Sequence, residues 1–236
     1  GWLVVAAGNA SFHGAVSHDM GTALADRMFH FHVQTAIDAF LDYVEGRHGE
    51  RLERSLVQVM SGATAGLSIV CQVLLDPGDE VLLPSPFWPL SRGIIATKGA
   101  TPVQVPFYTR LGDPGFDPEA VLEDAVTERT VALYVNTPNN PTGAVLETET
   151  IDAMMRVAKR HDLWVFCDEA YEEIYFDREA PRAVWQRPQI RDRAIAFHTL
   201  SKTYGFAGAR IGFTHGPDAV MGKIAGMQTF HTYCAP

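Results

Sequence analysis

From residue 55 onward, short apolar runs alternate with stretches of helical periodicity. The runs are SLVQVM (55–60), EVLLP (80–84), PVQVPF (102–107), VALYVN (131–136), LWVFC (163–167), AIAFHT (194–199) and RIGFTH (210–215). Most are β-branched or aromatic and apolar on both faces, which is the pattern of strands covered from both sides. Between them, Asp117 followed by Pro118 reads as a helix N-cap with a first-turn proline. Ile151, Met154, Met155 and Ala158 form the i, i+3, i+4, i+7 face of a second helix. Upstream, HVQTAIDAFLDYVEG fits a helix ending near Gly46. Such alternation predicts an α/β fold around a mostly parallel sheet. Residues 1–30 have no clean period and read as loop.

Composition narrows what this fold can serve. The 236 residues are 47% hydrophobic with a formal charge of −9, which argues against nucleic acid or an anionic membrane surface as a partner. An anionic ligand would therefore need a local positive site. Cys71, Cys167 and Cys234 are scattered, with no metal spacing, and read as buried thiols of a reducing, cytoplasmic compartment. No apolar stretch approaches the about 18 residues of a membrane helix, and the opening WLVVAA is too short for a signal peptide. The chain starts at Gly1 and stops at Pro236 without a closing element, so it reads as a piece of a longer protein.

Ligands of parallel α/β sheets sit at the carboxyl ends of the strands, so the residues after each strand carry the functional signal. SGATAGL (61–67) leads into an apolar helix; its small residues and free N–H groups suit a phosphate, though a tight strand–helix turn needs no more. SPFWPL (85–90) holds Trp88 between prolines, as core or as a flat platform for an aromatic ligand. TPNNPTG (137–143) is a rigid turn that presents the amide of Asn140. DEAY (168–171) puts Asp168 at the end of a strongly apolar strand, where a carboxylate needs a cationic partner to stay ionised, or caps a helix. Tyr171 shares that turn. Lys202 follows AIAFHTLS, and Arg210 lies eight residues further.

Each feature alone has an ordinary explanation. In this order and combination, SGAT, SPFWP, NNPTG, DEAY and SK with its arginine resemble the pyridoxal-phosphate enzymes of aminotransferase class I/II, fold type I, from about residue 55 to residue 236. The resemblance implies a three-layer α/β/α large domain with a seven-stranded, mostly parallel sheet. Residues 1–46 would be an N-terminal segment and helix, and residues 47–236 the cofactor-binding domain, incomplete at its end and lacking the family's small C-terminal domain. It further implies transfer of an amino group between an amino acid and a 2-oxo acid. Lys202, Asp168 and Tyr171 would be catalytic. Lys202 would condense with the cofactor aldehyde and, with its basicity lowered by a desolvated site, take the α-proton. Asp168 would face the ring nitrogen, Asn140 and Tyr171 the phenolic oxygen, and Trp88 the ring. Ala63, Thr64, Thr199 or Ser201, and Arg210 would hold the phosphate. A homodimer with no metal is expected.

Two further readings use the same cage or fold. One is a C–S lyase or cyclopropane-forming synthase; the other is the ligand-sensing domain of a transcription regulator, which the charge disfavours. A nucleotide-binding Rossmann domain fails because no GxGxxG follows the first strand.

Overall fold

A computed structural model describes residues 36–176 and 181–232; the loop read at 1–30 and Cys234 lie outside the described residues. The chain forms α1 (Ala36–His48), β1 (Val57–Met60), α2 (Gly62–Leu74), β2 (Glu80–Ser85), α3 (Pro89–Ala96), β3 (Thr101–Pro106), α4 (Pro118–Glu123), β4 (Thr130–Asn136), α5 (Thr148–Arg160), β5 (Trp164–Asp168), β6 (Ala194–Thr199), β7 (Gly212–His215) and α6 (Asp218–His231). All seven expected strands are present in one sheet of order β1-β7-β6-β5-β4-β2-β3. β7 alone runs against its neighbours; the other pairs are parallel. β3 forms one edge and carries Pro102 and Pro106, which an edge strand tolerates because half its N–H groups face no partner.

Period-two alternation sorts the side chains onto two faces. Met60, Leu83, Tyr134, Phe166 and Phe197 pack with α2, α3 and α6. Leu82, Val135, Cys167, Ala196 and Phe213 pack with α1, α4 and α5. The predicted helical face of α5 is buried as expected: Ile151, Met154, Met155 and Ala158 all lie in the core. Glu149 in its first turn and Lys159 and Arg160 in its last complement the helix dipole. Asp117 caps α4, accepting from the N–H groups of Glu119 at 2.9 Å and Ala120 at 3.2 Å. Cys71 and Cys167 are buried thiols, and burial pushes the Cys71 thiol up to about 12.

Some boundaries differ from the sequence reading. α1 passes Gly46 and stops at His48; Gly49, at φ +68°, sends its N–H back to the Glu45 carbonyl at 2.9 Å, so it is the left-handed residue that ends the helix. β1 begins two residues late because Arg54–Leu56 form a 3₁₀ turn. β7 begins at Gly212 because Arg210 is itself left-handed, at φ 51°. β5 extends to Asp168, which pairs with Asn136 of β4 and Phe197 of β6.

From β2 the chain adds β3 on one side and β4 on the other, so the strand order reverses between β2 and β4, where crevices form at the carboxyl ends. On the helical layer below, α2 crosses β6 and β7 closely. A Cβ on Gly66 would lie 2.3 Å from Thr214 Oγ1 and 3.2 Å from Phe197 Cδ1. Gly66→Ala should therefore cost about 1–3 kcal/mol through overpacking, read as a lower urea midpoint. An unchanged midpoint would contradict this packing.

Candidate active site

Beyond β4, the turn 137–143 is built by its own side chains. Asn139 Oδ1 accepts from the Thr142 hydroxyl at 2.7 Å and the Thr142 N–H at 3.2 Å. Its amide donates to the Pro86 carbonyl at 3.2 Å, which ties the turn to the end of β2 across the strand-order reversal. Asn136 Oδ1 accepts from the Asn140 N–H at 2.8 Å, and Asn136 Nδ2 donates to the Asp168 carbonyl at 3.1 Å. The turns after β4 and β5 are thereby locked to one another. Asn140 Nδ2 then donates to the Tyr171 hydroxyl at 3.1 Å.

Asp168 points to the same face as Tyr134, whose hydroxyl donates to its Oδ2. The Ala170 N–H donates to Oδ1 at 3.0 Å. Burial raises the Asp168 carboxyl above the ordinary carboxylate range, while Tyr134, Ala170, His198 and Lys202 pull it down. The partners in direct contact are thus a hydroxyl and an amide, and positive charge acts on it through space. The Lys202 ammonium lies 5.5 Å from the centre of the Tyr171 ring, joining lysine, tyrosine and asparagine in one row. Lys202 and the residues up to 209 are exposed. The desolvation expected around this amine is not supplied by the described residues, because nothing among them covers the loop after β6.

A separate corner gathers positive groups. α2 opens at Gly62 with no acidic residue in its first turn, so the N–H groups near Ala63 and Thr64 leave its dipole end free for an anion. Arg210 reaches it from the turn before β7, the strand that pairs with β1. Its Nη2 donates to the Ser61 carbonyl at 3.4 Å, and its Nη1 to Ser201 Oγ at 3.3 Å and the Ala207 carbonyl at 2.8 Å. Thr199 Oγ1 donates to Ser201 Oγ at 3.0 Å, so Thr199 and Ser201 both belong to this corner. Gly62 has φ +78°, and a Cβ there would meet Arg210 Nη2 at 2.5 Å; only glycine leaves room for the guanidinium. Trp88 is half-buried just before α3, not a core residue.

The description of aminotransferase class I and II matches residues 21–236. The chain belongs to that family. It is 34% identical to the arginine–pyruvate transaminase AruH of Pseudomonas aeruginosa over 193 residues, 80% of this chain and 48% of that protein. It is 35% identical to the aspartate/prephenate aminotransferase of Thermus thermophilus over 184 residues, 76% of this chain and 45% of that protein. Among solved structures, the aspartate aminotransferase of Rhizobium meliloti superposes with a TM-score of 0.78 at 29% identity, covering 84% of this chain and 50% of that one. The chain spans about half the length of the curated relatives it matches.

Members of the aminotransferase class I/II family depend on pyridoxal phosphate, and the residues present fit that group. A cationic ring nitrogen needs a carboxylate, and among the described residues no cation is in direct contact with Asp168. A phenolic oxygen needs donors, and the Asn140 amide and Tyr171 hydroxyl adjoin. A phosphate needs a cation and N–H groups, and the Arg210 guanidinium sits against the glycine-lined start of α2. The sequence reading missed Tyr134, because a tyrosine inside an apolar strand looks like core. It quoted SGAT but gave no role to Ser61 and Gly62, the two residues immediately before the named Ala63 and Thr64. An open cleft of about 770 Å³ beside the turn includes Asn140 and Tyr171 along with Leu111, Ile174 and Phe176. Of the candidate residues only those two line it.

Beside Asp168, the Glu169 carboxyl is buried, and its Oε1 has no hydrogen-bond partner among the described residues. Burial, then the neighbouring Glu172 and Asp168, raise it well above its ordinary value. An unfolded glutamate ionises near about 4.3, so above that pH the unfolded chain releases a proton that the folded chain keeps. Stability from this group is therefore present at low pH and lost as pH rises. Glu169→Gln should remove that loss. Its stability relative to the parent should grow between about pH 5 and about pH 8, at a slope of at most about 1.4 kcal/mol per pH unit. Urea unfolding at the two pH values checks this, and a constant difference would contradict it.

Proposed function

We propose that the whole protein transfers an amino group between an amino acid and a 2-oxo acid with pyridoxal phosphate. Residues 47–236 would form its cofactor-binding domain after an N-terminal segment and helix at 1–46, and it would work as a cytoplasmic homodimer. The observation that carries this reading is the meeting of Lys202, Tyr171 and Asn140 in one row, with Asp168 on the same turn as Tyr171 and Arg210 at the start of α2. When bound, the cofactor supplies an aldehyde that condenses with amines and a ring that takes up the electrons of the substrate's Cα–H bond.

The chain's own residues then have distinct tasks. Lys202 would hold the cofactor through its amine and would be the base for the substrate's α-proton. Asp168 holds positive charge on the ring nitrogen. Its raised carboxyl supports this, since a buried carboxylate gains most from a cation brought to it. Asn140 and Tyr171 donate to the phenolic oxygen. Ala63 and Thr64 at the start of α2, Thr199, Ser201 and Arg210 bind the phosphate. Trp88, half-buried beside the strand-order reversal, would be the flat surface for the ring. The transaminase names of the relatives favour this over lyase, synthase or regulator readings.

Borohydride reduction of the cofactor-loaded whole protein should fix the cofactor on Lys202, located by peptide mass mapping. Label on Lys98 or Lys223 would overturn the assignment. Asp168→Asn should still bind the cofactor but slow substrate α-deuterium exchange by about a hundredfold or more. Exchange at the parent rate would mean that Asp168 plays no part in accepting the electrons.

A further inference from the structure

Tyr134 stands in β4 two residues before Asn136, the register partner of Asp168. That even spacing puts Tyr134 and Asp168 on one face of the sheet, and the tyrosine side chain is long enough to meet the carboxyl on the next strand. Its ring is buried in the same apolar core as Leu83, Phe166 and Phe197, which offers the hydroxyl nothing to bond. Among the described residues its hydrogen bond is to Asp168 Oδ2 and to no other atom. A buried hydroxyl with a single acceptor in reach directs its proton there. Burial and then the Asp168 charge push Tyr134 well above its ordinary value, so it stays a hydroxyl and donates. Asp168 Oδ1 accepts from the Ala170 N–H at 3.0 Å, a group that can only donate. Both carboxyl oxygens are therefore acceptors.

The other polar groups nearby are engaged elsewhere. Tyr108, also buried, donates to the Asn136 carbonyl at 2.7 Å. His198 follows Phe197, the register partner of Asp168, so its side chain takes the opposite face of the sheet. There its Nδ1 lies 2.6 Å from Glu172 Oε1 and its Nε2 3.1 Å from His215 Nε2, while His48 Nε2 lies 3.1 Å from Glu172 Oε2. Lys202 lies over the Tyr171 ring. Among the described residues, Tyr134 is thus the one side chain that hydrogen-bonds this carboxyl.

A carboxyl that faces a ring nitrogen shares one proton with it, and the proton can rest on either. Burial favours the uncharged arrangement, a carboxylic acid against a neutral nitrogen. Hydrogen bonds donated to the carboxylate favour the charged one. Ala170 gives one such bond from its backbone, as any residue but proline would there. Tyr134 gives the second from a side chain, at a strand position where an apolar residue would fill the core as well.

We propose that Tyr134 is a positioning residue whose hydroxyl, by donating to Asp168 Oδ2, keeps the shared proton on the ring nitrogen of the cofactor and off Asp168. This rests on the functional reading above. The whole protein is loaded with pyridoxal phosphate carrying nitrogen-15 in the ring, whose chemical shift separates protonated from neutral nitrogen. The parent is compared with Tyr134→Phe, which keeps the ring and removes the hydroxyl. Asp168→Asn marks the neutral limit, and Tyr108→Phe removes a buried hydroxyl that does not touch Asp168. The parent should give the protonated signal. In Tyr134→Phe the ratio of nitrogen-bound to carboxyl-bound proton should fall by about tenfold, moving the signal at least about a tenth of the way to the Asp168→Asn value. Tyr108→Phe should leave it in place. The signal of bound cofactor is separate from that of free cofactor, so a fraction of unfolded protein does not mask the shift. An unmoved signal in Tyr134→Phe, or equal movement in Tyr108→Phe, would overturn the proposal and leave Tyr134 a core residue. A Tyr134→Phe variant that takes up no cofactor would overturn it too, since the hydroxyl would then serve the fold. A parent that holds cofactor with a neutral nitrogen would overturn the proposal while leaving cofactor binding intact. A parent that holds none would overturn the functional reading, and this proposal with it.

Discussion

A carboxylate at the inner end of a buried strand is an expensive group, and much of this structure is arranged around one. Asp168 closes β5 between β4 and β6. Burial raises its carboxyl above the ordinary carboxylate range. A tyrosine hydroxyl from β4, an amide of its own turn, and the through-space influence of His198 and Lys202 act against that. Tyr134 reaches it from the neighbouring β4 and Ala170 from its own turn, because parallel strands deliver their carboxyl ends to one edge of the sheet.

The same edge separates two electrostatic tasks. Near Asp168 the surroundings prepare a site for a cation. At the start of α2 they prepare a site for an anion, where Arg210 adopts a left-handed backbone that costs about 1–2 kcal/mol for a non-glycine residue. Gly62 leaves the room its guanidinium fills. A ligand with a positive ring and a negative phosphate matches both ends. On a chain with a formal charge of −9, such local positive groups are what an anionic ligand requires. The clamp of Glu172 between His198 and His48 extends this order to the far face of the sheet.

Much of this was legible in the sequence, for physical reasons. Strands buried on both faces leave continuous apolar runs, so all seven were found. Asp117 with Pro118 and the face of α5 follow from helix geometry alone. The turn residues of TPNNPTG announce their rigidity because Asn, Pro and Gly each have a specific backbone task. What escaped depended on contacts distant in sequence. Tyr134 meets Asp168 from 34 residues away, and a tyrosine in an apolar strand carries no mark of its partner. His198 lies 26 residues from Glu172, and nothing in AIAFHT or DEAYEE alone links them. The exposure of Lys202 was hidden for a related reason: the apolar strand before it says nothing about what covers the loop after it.

The central claim is that the buried Asp168 carboxyl is the counter-charge of a cationic ring. Infrared difference spectroscopy of the whole protein tests it most directly, with Asp168→Asn to identify the band. Without cofactor, the protonated carboxyl band of Asp168 should persist above the ordinary aspartate value of about 3.9. On adding pyridoxal phosphate at the same pH it should be replaced by the carboxylate bands. An Asp168 band that titrates identically with and without the cofactor would contradict the account.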